Sequence, residues 1–98
     1  LFRSTRQAAD NIRAMVALAR SRGMDVMLLG VPSPGLLLST AEHYDEIAKE
    51  LRLPYEGKAI ARILSDSSLR ADVAHPNAEG YQRLADAVAE LLKKSGAI

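Results

Sequence analysis

The chain has 98 residues, enough for one small domain or a portion of a larger one. Hydrophobic residues make up 48% and the formal net charge is +1, so a packed core is expected and no basic face invites nucleic acid. Cysteine is absent, which excludes disulfides and thiolate metal sites, and no apolar run approaches the roughly 20 residues that cross a bilayer. This composition is compatible with a periplasmic, secreted or cytoplasmic setting. Phe2, Tyr44, Tyr55 and Tyr81 are too few and too scattered for a base-stacking platform.

The opening Leu-Phe-Arg-Ser-Thr-Arg reads as mid-chain sequence. Ser4 or Thr5 can cap a first helix reaching about Arg20, because Ala8, Ile12, Met15, Val16 and Ala19 share one stripe at helical spacing. Gly23 stands where a left-handed helix end is usual. Residues 26–31 (Val-Met-Leu-Leu-Gly-Val) are continuously apolar. Their length, β-branched ends and the following Pro32 predict a strand buried on both faces, as in a parallel sheet. Pro32-Ser33-Pro34-Gly35 forces a loop that leaves Leu36, Leu37 and Leu38 within it. Ser33 lies just past a strand's carboxyl end, where α/β sites gather. Flanking prolines and the lack of a Gly-x-Ser-x-Gly elbow make it a loop residue.

Ser39-Thr40-Ala41-Glu42 is a capping box for a second helix with Tyr44, Ile47, Ala48 and Leu51 as its inner stripe. His43 has no motif around it and reads as a surface or partly buried helix residue. Leu53-Pro54-Tyr55 predicts a short strand near a sheet edge. Residues 58–64 predict a short helix bearing Ile60, Ile63 and Leu64, and a polar stretch over 65–70 leads into a turn. Asn77 is the N-cap of a last helix ending near Lys94. Tyr81, Leu84, Ala85, Val88, Leu91 and Leu92 form its apolar face, and Lys93 and Lys94 suit the dipole at its end.

This alternation of helix and strand predicts an α/β fold with a parallel sheet covered on both faces. About two strands accompany three to four helices, and the strand over 26–31 needs a second neighbour. The 98 residues therefore read as the C-terminal portion of a larger α/β domain. An upstream half, another polypeptide or a swapped copy of the chain would complete the sheet.

The chemistry concentrates in Asp72-Val73-Ala74-His75-Pro76-Asn77-Ala78-Glu79-Gly80-Tyr81. If residues 72–75 form a turn, their end Cα atoms lie within about 7 Å and the Asp72 carboxylate reaches Nδ1–H of His75. That is two-thirds of a Ser-His-Asp constellation, in which the acid fixes the tautomer and Nε2 takes the nucleophile's proton. Pro76 stiffens the approach to the helix and Asn77 caps it, so the imidazole stands on a rigid support. The same residues allow an ordinary turn in which Asp72 caps backbone and His75 is solvated. A catalytic zinc is disfavoured, because it needs three protein ligands and neither a second nearby His nor any Cys is available.

Asp72-x-x-His75-Pro76-Asn77-x-x-Gly80-Tyr81, followed by an amphipathic helix, resembles the last motif block of the SGNH, or GDSL, hydrolases. The order of an amphipathic helix, Arg-Gly-x-x-Val-x-Leu-x-Gly-Val-Pro and a helix ending in Leu-x-Leu-Pro is similar to the thioesterase I, lysophospholipase and arylesterase branch. The resemblance implies a three-layer α/β/α flavodoxin-like sandwich with a parallel sheet, and Asp72 and His75 as acid and base of a triad. The family's Gly-Asp-Ser nucleophile block and its oxyanion Gly and Asn are not in this sequence, so the isolated chain is expected to be inactive. The implied activity is cleavage of acyl esters or thioesters through an acyl-enzyme, with no cofactor or metal. Pro34, Leu36, Leu37 and Leu38 are candidate walls for the acyl chain, and equally could pack under their loop. A carbohydrate esterase of the same superfamily, or a non-catalytic assembly module formed by strand pairing, are the alternatives.

Overall fold

A computed structural model describes residues 5–32 and 42–98. Its elements are α1 (Thr5–Ser21), β1 (Leu28–Leu29), α2 (Glu42–Leu51), β2 (Tyr55–Glu56), α3 (Ala59–Ser65), β3 (Arg70–Asp72), β4 (His75–Pro76) and α4 (Ala78–Lys94). The fold is mixed α/β. β1 and β2 pair in parallel with Leu28 opposite Tyr55 and Leu29 opposite Glu56, and β3 and β4 form an antiparallel hairpin. The cap at Ser4 and positions 39–41 of the capping box lie outside the described residues.

Three helices end in the same way. After α1, Gly23 N–H donates to Arg20 O and Met24 N–H to Ala19 O; after α4, Gly96 and Ala97 make the matching bonds to Lys93 and Leu92. Both glycines have positive φ, as a Schellman end requires. At the end of α2 the same position is held by Arg52 at φ 55, with Leu53 N–H on Ala48 O.

The parallel pair is shorter than residues 26–31, because β2 offers only two residues to pair with. Leu28 N–H donates to Pro54 O at 2.9 Å and Gly30 N–H to Glu56 O at 2.8 Å. By alternation, the backbone groups of Leu29 turn to the opposite edge of β1. Among the described residues no strand pairs with that edge. The strand is consequently half-buried where full burial on both faces was predicted, and Val31 is 45% exposed.

Val16 of α1, Ala48 of α2 and Leu53 form a buried cluster, joined by Ile12, Val26, Leu28, Leu51 and Tyr55. Ile47 is fully enclosed. A second set, Ala61, Ile63, Leu64 and Leu69, is buried where α3 and the hairpin meet the start of α4. The apolar face read along α4 is only partly covered. Leu84, Val88, Leu91 and Leu92 are half-buried, while Ala85 and Tyr81 are exposed. Tyr81 therefore lies outside the core to which its spacing assigned it, and so does Met15 on α1, 61% exposed.

Ser95, Gly96 and Ala97 share a cleft with Val26 and Pro54, at the amino ends of the parallel strands. α4 thus runs back along the sheet, and its first turn sits at the strands' carboxyl ends. Ligands of open α/β sheets gather at that side.

Candidate active site

The Asp72–His75 pair is set by the hairpin that α4 follows. Two residues, Val73 and Ala74, connect β3 to β4, and Asp72 stands directly opposite His75 in the register. Their side chains meet: Asp72 Oδ1 lies 2.8 Å and Oδ2 3.1 Å from His75 Nδ1. Asp72 Oδ1 also accepts the Ala74 N–H at 2.8 Å. That backbone bond, and then the bond to His75, hold the Asp72 carboxyl below its ordinary range. An ionised carboxylate only accepts, so Nδ1 carries a proton, and in the neutral ring the free lone pair is on Nε2. Among the described residues nothing is hydrogen-bonded to Nε2. The pair is open to solvent, with the His75 side chain 66% and the Asp72 side chain 59% exposed.

The support beneath the hairpin was only partly legible in the sequence. Asn77 caps α4 as predicted, its Oδ1 accepting Gly80 N–H at 2.9 Å. Its Nδ2 also donates to Ser68 O at 2.9 Å, and its backbone N–H to Leu69 O at 2.9 Å. Leu69, inside the stretch read as polar, is 5% exposed and plugs the space between α3 and α4. A single large apolar residue between polar neighbours was the available signal for it. Asp66 shapes the bend before Leu69 by accepting both the N–H and the hydroxyl of Ser68, which lowers its own carboxyl. Arg70 reaches back to Leu64 O at 2.7 Å and ties β3 to the end of α3.

Gly80 allows the close approach on which this depends. A Cβ there would fall 2.1 Å from Leu69 O, 2.9 Å from Pro76 Cβ and 3.0 Å from Ile63 Cγ2. A glycine in the first turn of a helix costs intrinsic stability, and that cost was the signal for a packing reason.

Other candidates fall elsewhere. Pro34, Leu36, Leu37 and Leu38, together with Ser33, lie outside the described residues. The hydroxyls of Ser21, Ser65 and Ser95 donate to the main chain and that of Ser68 to Asp66; among the described residues no serine is hydrogen-bonded to His75. His43, half-buried on α2, has its ring tilted by 31° against Tyr44 with centroids 4.3 Å apart, and its Nε2 finds no hydrogen-bond partner among the described residues. No group of three or more metal-ligating side chains comes together among the described residues. No described helix is long and apolar enough to cross a membrane.

The chain matches no protein-family model, no curated protein and no solved structure.

Proposed function

We propose that these residues are the C-terminal portion of an SGNH-type serine hydrolase that cleaves acyl esters or thioesters, with Asp72 as acid and His75 as base. The observation that carries this reading is the 2.8 Å contact between Asp72 Oδ1 and His75 Nδ1, with Nε2 hydrogen-bonded to none of the described residues. The nucleophilic serine comes from polypeptide outside these residues. It is carried by the half that completes a flavodoxin-like sheet against the edge of β1 opposite β2.

In the reaction, His75 Nε2 removes the serine proton as the hydroxyl oxygen attacks the acyl carbonyl. The imidazolium then returns that proton to the departing alcohol or thiol, leaving an acyl-enzyme. Water, deprotonated by the same Nε2, releases the acid and restores the serine. Asp72 stays ionised throughout, holding the tautomer and stabilising the imidazolium.

The test is complementation. The chain alone should not hydrolyse p-nitrophenyl acyl esters, and mixing it with the nucleophile-bearing half should restore turnover. In that mixture His75→Ala should abolish turnover, and Asp72→Asn should reduce kcat by a factor on the order of 10⁴. Full activity of the complemented His75→Ala protein would remove the assignment.

The edge of β1 that no described strand pairs with favours one other reading, an assembly module in which two copies pair edge to edge. Sedimentation of the chain separates the two. A stable dimer that gains no esterase activity from the nucleophile-bearing half supports the module.

A further inference from the structure

We propose that Asn77 is a positioning residue of the Asp72–His75 pair, acting through the Ser68 carbonyl, in addition to capping α4; this rests on reading that pair as functional. Besides the first backbone bond of α4, from Tyr81 N–H to its carbonyl, three hydrogen bonds converge on this residue. Its backbone N–H and its side-chain N–H₂ grip two successive carbonyls, Leu69 O and Ser68 O, while its side-chain oxygen takes the Gly80 N–H. A cap needs only the last of these. The bonds to Ser68 and Leu69 instead join the residue that follows β4 to the residues that precede β3. They close the open end of the hairpin whose other end is the Val73–Ala74 turn.

His75 is the second residue before Asn77 and Asp72 the third after Leu69, so the distance between imidazole and carboxylate is fixed from both ends. Arg70 ties β3 to the end of α3 and Asp72 Oδ1 holds the Ala74 N–H in the turn, but only Asn77 joins the two strands at the hairpin's base. β3 and β4 contribute only three and two residues, with a register irregularity between Arg70 and Asp72. Both acid and base are largely exposed, so side-chain packing does not hold them.

Capping and positioning can be separated chemically. Asn77→Asp and Asn77→Ser keep an oxygen for the Gly80 N–H, and both residues are good N-caps. The aspartate has no N–H to give to Ser68 O, and the serine side chain is too short to reach it. The serine variant adds no charge beside His75.

The readout is the His75 tautomer in the full chain at alkaline pH, from the correlations of the two ring nitrogens with the carbon-bound ring protons. Asp72→Ala provides the released state. Both Asn77 variants should retain the α4 helical signal and melt within a few degrees of the parent. Their Nδ1–H population should nevertheless fall toward that of Asp72→Ala, and amide exchange at position 77 should rise about tenfold. An unchanged tautomer and exchange rate in both variants would overturn the proposal. So would loss of α4 in both, since Asn77 would then act on the helix and not on the pair. If Asp72→Ala itself leaves the tautomer unaltered, the pairing fails, and the hydrolase reading with it.

Discussion

Gly80 carries the tightest steric constraint next to the site. Its missing Cβ is what lets the first turn of α4 rest on the Leu69 carbonyl, which is already engaged by Asn77 N–H. Gly80→Ala forces backbone against backbone, with no flexible side chain to yield. It should cost about 3 kcal/mol in urea unfolding, although alanine is the better helix former. A cost below about 0.5 kcal/mol would mean that α4 does not approach Leu69 so closely. Arg52 presents the opposite case. It occupies a left-handed conformation that glycine fills at the ends of α1 and α4. Arg52→Gly should therefore stabilise the chain by about 0.5–1 kcal/mol, read as a raised urea midpoint. The cap at Asn77 and the helix end at Gly23 were legible because each depends on bonds within its own turn. The roles of Gly80, Leu69 and Arg52 were not, because each is set by what the fold brings against it.

Acid sensitivity follows from the same residues. Asp72, Asp66 and Glu50 are all held below the ordinary carboxyl range: by the Ala74 N–H and His75, by Ser68, and by Arg13 respectively. Their folded values lie below their unfolded ones. The stability they contribute is thus present above about pH 4 and lost as pH falls through the folded values. Unfolding free energy should decline from pH 5 toward pH 2, and Asp72→Asn should flatten part of that decline. An unchanged slope in Asp72→Asn would show that the carboxylate gains nothing from its hairpin partners.

Among the elements, the two sheets illustrate what apolar patterning can and cannot reveal. The run over 26–31 announced β1, and Leu53-Pro54-Tyr55 announced β2 displaced by one or two residues. The β3–β4 hairpin was read only as a turn, because Arg70-Ala71-Asp72 has no period-two apolar face. Its pairing is imposed by Leu69 and Asn77 at its base. The parallel pair makes its own testable statement. Leu28 N–H is spent on Pro54 O, whereas Leu29 N–H turns to the other edge, where no described strand pairs. Leu28→Pro should destabilise the chain by about 2 kcal/mol more than Leu29→Pro, because only the former orphans a ladder acceptor. Equal losses in chemical denaturation would contradict the assignment of the two edges.

Across the whole molecule, surface is the informative quantity. Among the described residues, Met15, Leu18, Met24 and Val31 are exposed apolar residues on α1, just after it and beside β1. In the proposed reading, the upstream half would pack against these helix and strand faces. What the sequence could not reveal is which edge of β1 is paired, because a strand's apolar run is the same whether one edge is paired or two. The central claim is that His75 acts as base for a serine on another polypeptide. Its most direct measurement is fluorophosphonate labelling of the nucleophile-bearing half in the presence of this chain. Labelling should require the wild-type chain and slow by about 10³-fold or more with His75→Ala. Equal labelling rates with the two chains would contradict it.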